Sequence, residues 1–326
     1  MINGNLPPYY GEINEILFDI ILCVSQKNSF FKLTHILISM KKLIVFPAII
    51  LMSFCLSTSN KDAYVLYDSK GKKTDYSQLL TEAKKADIIL FGELHDNPIC
   101  HWLQKELTED LYTDIKDKLV LGAEMFEADD QIAINEYLAG RISDKTLKDE
   151  VKLWNNFATD YKPLLEFAKK NKLKFIAANI PRRYANLVYL RGMTSLDSID
   201  VEAKKWIAPL PIKYDSTLKC YKEIYENAGG HGGQNLPKSQ AIKDATMAYF
   251  ISKNWTKGQL FLHYNGAYHS NNHQGIEWYL KQQNPSLKIL VISSTEQKSI
   301  DALEEEAKGS GDFIICIPSS MTKTYK

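Results

Sequence analysis

Residues 89–104 read ILFGELHDNPICHWLQ, and this stretch decides the fold. With Asp87 and Ile88 ahead of it, Ile89-Leu90-Phe91 is an apolar run without polar alternation. Such a run suits a strand covered on both faces, as in parallel sheets. The polar turn Gly92-Glu93-Leu94-His95 follows. Asn97-Pro98 then offers a helix N-cap and a first-turn proline, and Leu103, Leu107 and Leu111 recur at four-residue spacing on one helix face. A strand that passes through a polar turn into a helix is one βα unit.

The unit repeats outward along the chain. Further short apolar runs at 64–67, 118–124, 174–178, 259–264, 288–293 and 313–317 read as strands. Helical patterns at 161–171, 181–191, 240–254 and 275–283 lie between them. This alternation predicts an α/β fold, with a mostly parallel central sheet flanked by helices. Residues 192–239 depart from it, with Pro209-Leu210-Pro211, Tyr214, Tyr221 and Tyr225, and a glycine run around His231. They read as a helical and irregular lid insertion.

The first sixty residues concern delivery. Met40-Lys41-Lys42 is a short positive segment, followed by the apolar run 43–54 and a polar stretch. This is the pattern of a secretory signal peptide, too short to span a bilayer, which takes ~20 residues. Residues 40–57 are therefore expected to be a signal peptide, with translation beginning at Met40 and residues 1–39 a mis-assigned upstream extension. Cys55 offers an alternative, a lipoprotein signal with a lipid anchor, although bulky Phe54 precedes it. The expected location is the cell envelope, as a periplasmic protein or an outer-membrane lipoprotein.

Composition narrows the classes. Forty Lys and Arg balance 39 Asp and Glu for a net charge of +1, which argues against a sequence-independent nucleic-acid binder. A mean hydropathy of -0.26 excludes a polytopic membrane protein. The five cysteines form no CxxC pair, excluding a disulfide scaffold or a cysteine zinc ribbon, and Cys100, Cys220 and Cys316 leave at least one free thiol.

Polar residues gather where predicted strands end, the place at which open parallel sheets bind ligands. Glu93 and His95, two apart, project to one side of extended backbone. Glu124 and His269 follow two other strands, and Gly-x-x-His occurs after strands at both 92–95 and 266–269. Glu93, His95, Glu124 and His269 form a plausible ligand set for Zn, Mn or Fe. His101 lies at the start of the following helix. Against these stand plainer readings: Glu93 as a helix cap, His263 as a core histidine, residues 154–161 as aromatic packing. His231 is either a lid residue or an axial ligand, and Asp244 either faces the site or makes a structural ion pair.

At these residues the chain resembles the ChaN family of haem-binding uptake proteins, within the Tiki/TraB-like superfamily. The matching pieces are 89–104, LGAEMFEADDQIAINEYLAG (121–140), Trp154 with Asp160-Tyr161, and IAANIPRRY (176–184). Ser239-Gln240, residues 243–248 and Gly266-Ala267-Tyr268-His269 also fit. The resemblance covers about 85–295, and 58–326 is read as a single domain of this family. It implies an exported, often lipid-anchored protein of iron uptake that binds haem. Glu93, His95, Glu124 and His269 would then form the polar centre, with His101, His231, Asp244 and Met247 as further cofactor contacts and Arg182 on a haem propionate. It implies an outer-membrane uptake receptor as a partner by analogy, and a homodimer is a separate expectation.

Two functions follow from different classes. One is a haem-binding protein, with an axial His or Tyr and propionates on Arg or Lys. The other is a metal-dependent, peptidase-like hydrolase, with the metal activating water and Glu93 as general base.

Overall fold

The computed structural model describes residues 61–227 and 233–325. The expected signal peptide, Cys55 and His231 lie outside the described residues. The chain begins with strands β1 (Val65–Asp68) and β2 (Lys73–Thr74), helix α1 (Tyr76–Ala83), β3 (Ile88–Glu93) and α2 (Pro98–Ile115). It continues through β4 (Leu119–Glu127), α3 (Gln131–Leu138), α4 (Asp144–Glu150), α5 (Lys162–Asn171), β5 (Phe175–Asn179) and α6 (Arg182–Arg191). The last elements are α7 (Lys219–Asn227), α8 (Asn235–Asn254), β6 (Leu260–Gly266), α9 (Ile276–Gln283), β7 (Ile289–Gln297) and β8 (Phe313–Pro318).

The strands form one sheet in the order β2-β1-β8-β7-β3-β6-β4-β5. Neighbours from β8 to β5 run parallel, whereas β1 is antiparallel to both β2 and β8. The α/β architecture with a mostly parallel sheet is thus the one the strand and helix patterns imply. Sequence order reverses around β3, which lies between β7 and β6, while β4 lies beyond β6. Reversals of this kind open a crevice at the carboxyl ends of the strands.

Strand alternation assigns each side chain to one of two apolar layers. Ile89, Phe91, Leu121, Leu262 and Tyr264 pack with Leu103 and Leu107 of α2 and with Leu164 and Leu165 of α5. Ile88, Leu90, Val120 and Phe261 pack with Ile242 and Ile251 of α8 and with Ile276 of α9. Glu93 therefore falls on the α2 side and Glu124 on the α8 side.

The helix after β3 starts as its sequence dictates. Asn97 Oδ1 accepts from the Ile99 N–H at 3.0 Å, and Pro98 occupies the first turn. The described part of 192–239 holds short helical turns at Met193–Ser198 and Ala203–Trp206, then α7. It packs along α8, with Tyr221 OH donating to Asp244 Oδ2 at 2.8 Å and the Ala208 N–H to Thr246 Oγ at 3.1 Å. Cys100, Cys220 and Cys316 are all buried and free. No helix among the described residues is long and apolar enough to cross a membrane.

Candidate functional site

The site is built in two halves at the ends of β3, β4 and β6. On the α2 side, buried Glu93 accepts three hydrogen bonds. His95 Nδ1 donates to Oε1 at 2.8 Å, Tyr161 OH to the same oxygen at 2.7 Å, and Gln104 Nε2 to Oε2 at 2.5 Å. The His95 carbonyl faces Asn156 Nδ2 at 2.8 Å and His101 Nε2 at 3.0 Å, which fixes the turn. The Trp154 ring meets the His95 ring edge-on at 4.8 Å. Burial works to lower the His95 pKa, but the hydrogen bond to Glu93 and the nearby Glu124 charge raise it on balance.

His95 Nε2 is directed at the backbone of β6. A Cβ at Gly266 would lie 2.6 Å from that nitrogen and 3.5 Å from Glu124 Oε2. Glycine here leaves room for an imidazole beside a carboxylate, a constraint from close approach.

On the α8 side, Glu124 Oε2 accepts the Gly266 N–H at 2.7 Å and Oε1 lies 3.1 Å from His269 Nε2. His269 Nδ1 is hydrogen-bonded to Asp244 Oδ1. Both ring nitrogens therefore face carboxylates. Burial alone would depress the His269 pKa, but Glu124 and Asp244 more than offset it and push it up to about 9. Burial would likewise raise the Glu124 carboxyl, yet His269 holds it well below the usual carboxylate range. The result is a buried hydrogen-bonded chain Glu124–His269–Asp244, in which burial holds the Asp244 carboxyl above its usual range, closed behind by Tyr221. Gly275, at φ +56°, permits it, since a Cβ there would lie 2.3 Å from the His269 carbonyl oxygen.

A cavity of about 910 Å³ opens between the halves. Its apolar wall includes Leu94, Met125, Leu153, Trp154 and Ile180, and Lys152, Arg182 and Lys243 bring positive charge. Tyr268, 62% exposed, stands on the wall and makes no hydrogen bond through its hydroxyl among the described residues.

The structure brings Glu93, His95, Glu124 and His269 together and places Arg182 on the cavity wall. The other sequence candidates fall elsewhere. His101 is buried, its nitrogens directed at Gln104, the His95 carbonyl and Asp160, so it holds the turn and does not line the cavity. Asp244 also lies behind the wall, gripping His269. Met247 is fully buried in the apolar layer between α8 and the sheet, because its helix face points away from the cavity.

Among the described residues no group of three His, Cys, Asp or Glu converges as a metal site. The divalent-metal alternative, with Zn, Mn or Fe, finds no support among the described residues. Gln104, Asn156 and Tyr161 emerge as site residues that sequence reading passed over. The last two lie in the stretch 154–161, read as aromatic packing although its Trp154 and Asp160-Tyr161 belong to the family resemblance.

Comparisons with known proteins fit this architecture. Among curated proteins no sequence match was found. A solved structure titled as cofacial haem binding to ChaN of Campylobacter jejuni is 20% identical, covers 78% of this chain and 97% of its own, and superposes with a TM-score of 0.58. An erythromycin esterase in its open conformation is 10% identical over 78% of this chain and 97% of its own, with a TM-score of 0.45. At 20% identity the likeness to the first is one of fold. The profile of the haem-binding uptake family, Tiki superfamily, ChaN, matches residues 79–280, and the chain belongs to that family.

Proposed function

We propose that this protein binds haem in the cavity at the ends of β3, β4 and β6 and serves haem uptake in the cell envelope. The observation that carries the reading is the cavity itself. Its volume of about 910 Å³ lies in the upper range of cofactor sites, ~300–1,000 Å³. Its lining suits a flat, apolar, dianionic ligand: Leu94, Met125 and Trp154 for the macrocycle, Arg182, Lys152 and Lys243 for the propionates. Haem would supply an iron that takes an axial protein ligand.

The donors on the wall that suit this role include the Tyr268 hydroxyl and His95 Nε2. His269 is not available, since both of its nitrogens are engaged. Glu93 and Glu124 do not repel the propionates as free charges would. Three donors hydrogen-bond the first, and the second faces the His269 ring, which pairs it. The buried Asn179 Oδ1 on the same wall has no partner among the described residues, a polar atom that a ligand or its water would satisfy.

The test is a haemin titration of the chain from Thr58, followed by absorption spectroscopy. A saturable Soret shift is expected, weakened by Tyr268→Phe or His95→Ala and by Arg182→Glu. Absence of a saturable shift would overturn the reading. Export by way of residues 40–57 is part of the proposal and rests on their sequence pattern. It is tested by the N-terminal sequence of the mature protein and by lipid labelling at Cys55. A homodimer is tested by sedimentation with and without haemin, and an uptake receptor by haem transfer to outer-membrane vesicles.

A further inference from the structure

The segment after β8 returns to the site. The Ser319 N–H donates to the Gln297 carbonyl at 2.9 Å, and Met321 packs against the apolar layer on the α2 side. The chain then crosses the strand ends. Lys323 pairs with Asp96 at 3.1 Å and with Glu296. The Thr324 N–H donates to the Asp96 carbonyl at 2.9 Å, and Thr324 Oγ to Asp160 Oδ2 at 2.7 Å. Tyr325 thereby stands on the cavity wall with His95 and Trp154.

These anchors are the residues that shape the ligand pocket. Asp96 follows His95, and Asp160 accepts from Asn156 Nδ2 at 2.6 Å, while Asn156 also donates to the His95 carbonyl. Residues 319–325 lie beyond the 79–280 span that the family profile matches. The Lys323 ion pairs are partly exposed and of the kind that contributes little alone. A segment held this way closes over a pocket and opens again without unfolding the sheet.

We propose that residues 323–325 latch over the site, with Tyr325 a ligand-contacting residue that slows exchange of a planar aromatic ligand. The identity of that ligand rests on the haem reading above. The aromatic contact is of a size to change residence time more than association.

The test compares wild type with Tyr325→Ala and with a chain ending at Thr322, which keeps Met321. Haem dissociation, followed by transfer to excess apomyoglobin, is expected to quicken about three- to tenfold in both, with Tm unchanged. Equal dissociation rates in all three would overturn the ligand contact. A second readout needs no haem: acylation of His95 by diethyl pyrocarbonate, read by mass spectrometry on the ligand-free chain. It is expected to quicken when the latch is removed, and an unchanged rate would overturn the latch. If wild type fails to bind haemin, the haem reading falls while the acylation rates still decide the latch.

Discussion

On the α2 side, Glu93 holds His95 by one nitrogen and leaves the other directed at Gly266 and the cavity. On the α8 side, Glu124 and Asp244 engage both nitrogens of His269. The residue types match, and both pairs sit at strand ends. What separates them is strand alternation, which turns Glu93 towards the α2 layer and Glu124 towards the α8 layer. The His95 side chain is 33% exposed and that of His269 only 6%. A half-held, half-exposed imidazole can act on a ligand, whereas a fully held, buried one braces the walls around it.

The sharpest way to break this comparison is to remove each histidine in turn. His269→Ala leaves Glu124 and Asp244 as buried carboxylates without their counter-charge, at a cost of about 3–5 kcal/mol. His95→Ala removes a partly exposed hydrogen-bonding group and costs about 1 kcal/mol. Urea unfolding measures both, and equal losses would erase the distinction between the halves.

A second test uses pH. The folded pKa of His269, about 9, lies above its unfolded value of ~6.5. Its contribution to stability is therefore complete below ~6.5 and is lost as pH rises through about 9. The loss is on the order of 3 kcal/mol, read as a falling Tm across that window. His269→Gln is expected to flatten this slope, and an unchanged slope would contradict the hydrogen-bonded chain.

The two glycines sharpen the contrast further. Gly275→Ala forces a side chain into a left-handed conformation 2.3 Å from the His269 carbonyl, and we expect a loss of about 2–3 kcal/mol. Gly266→Ala meets the movable tip of His95 at 2.6 Å and Glu124 Oε2 at an ordinary 3.5 Å. It should change stability by less than about 1 kcal/mol while weakening haemin binding about tenfold, because the donor nitrogen is displaced. Calorimetry and haemin titration on the same variant separate the two effects.

Much of this was legible in the chain. Unbroken apolar runs ending in Glu93, Gly122-Ala123-Glu124 and Asn265-Gly266 marked buried parallel strands with polar ends, and those are β3, β4 and β6. The two-residue β2 is too short to carry a pattern. Helix α8 begins at Asn235 and takes Pro237 into its first turn, five residues ahead of the apolar periodicity that suggested residue 240. At the site, the pairing of Glu93 with His95 follows from their spacing in extended backbone. The pairing of Asp244 with His269, 25 residues apart, depends on how α8 packs against the sheet and leaves no local trace. Tyr161 and Tyr325 reach the site from a π-helical turn and from a segment beyond the last strand, places where periodicity says nothing about direction.

The most direct test of the central claim is a crystal structure of the chain from Thr58 grown with haemin. The account predicts density for the macrocycle against Trp154 in the cavity, with the iron facing Tyr268 or His95 and a propionate on Arg182. Haem density at another surface, with the cavity unchanged, would contradict it.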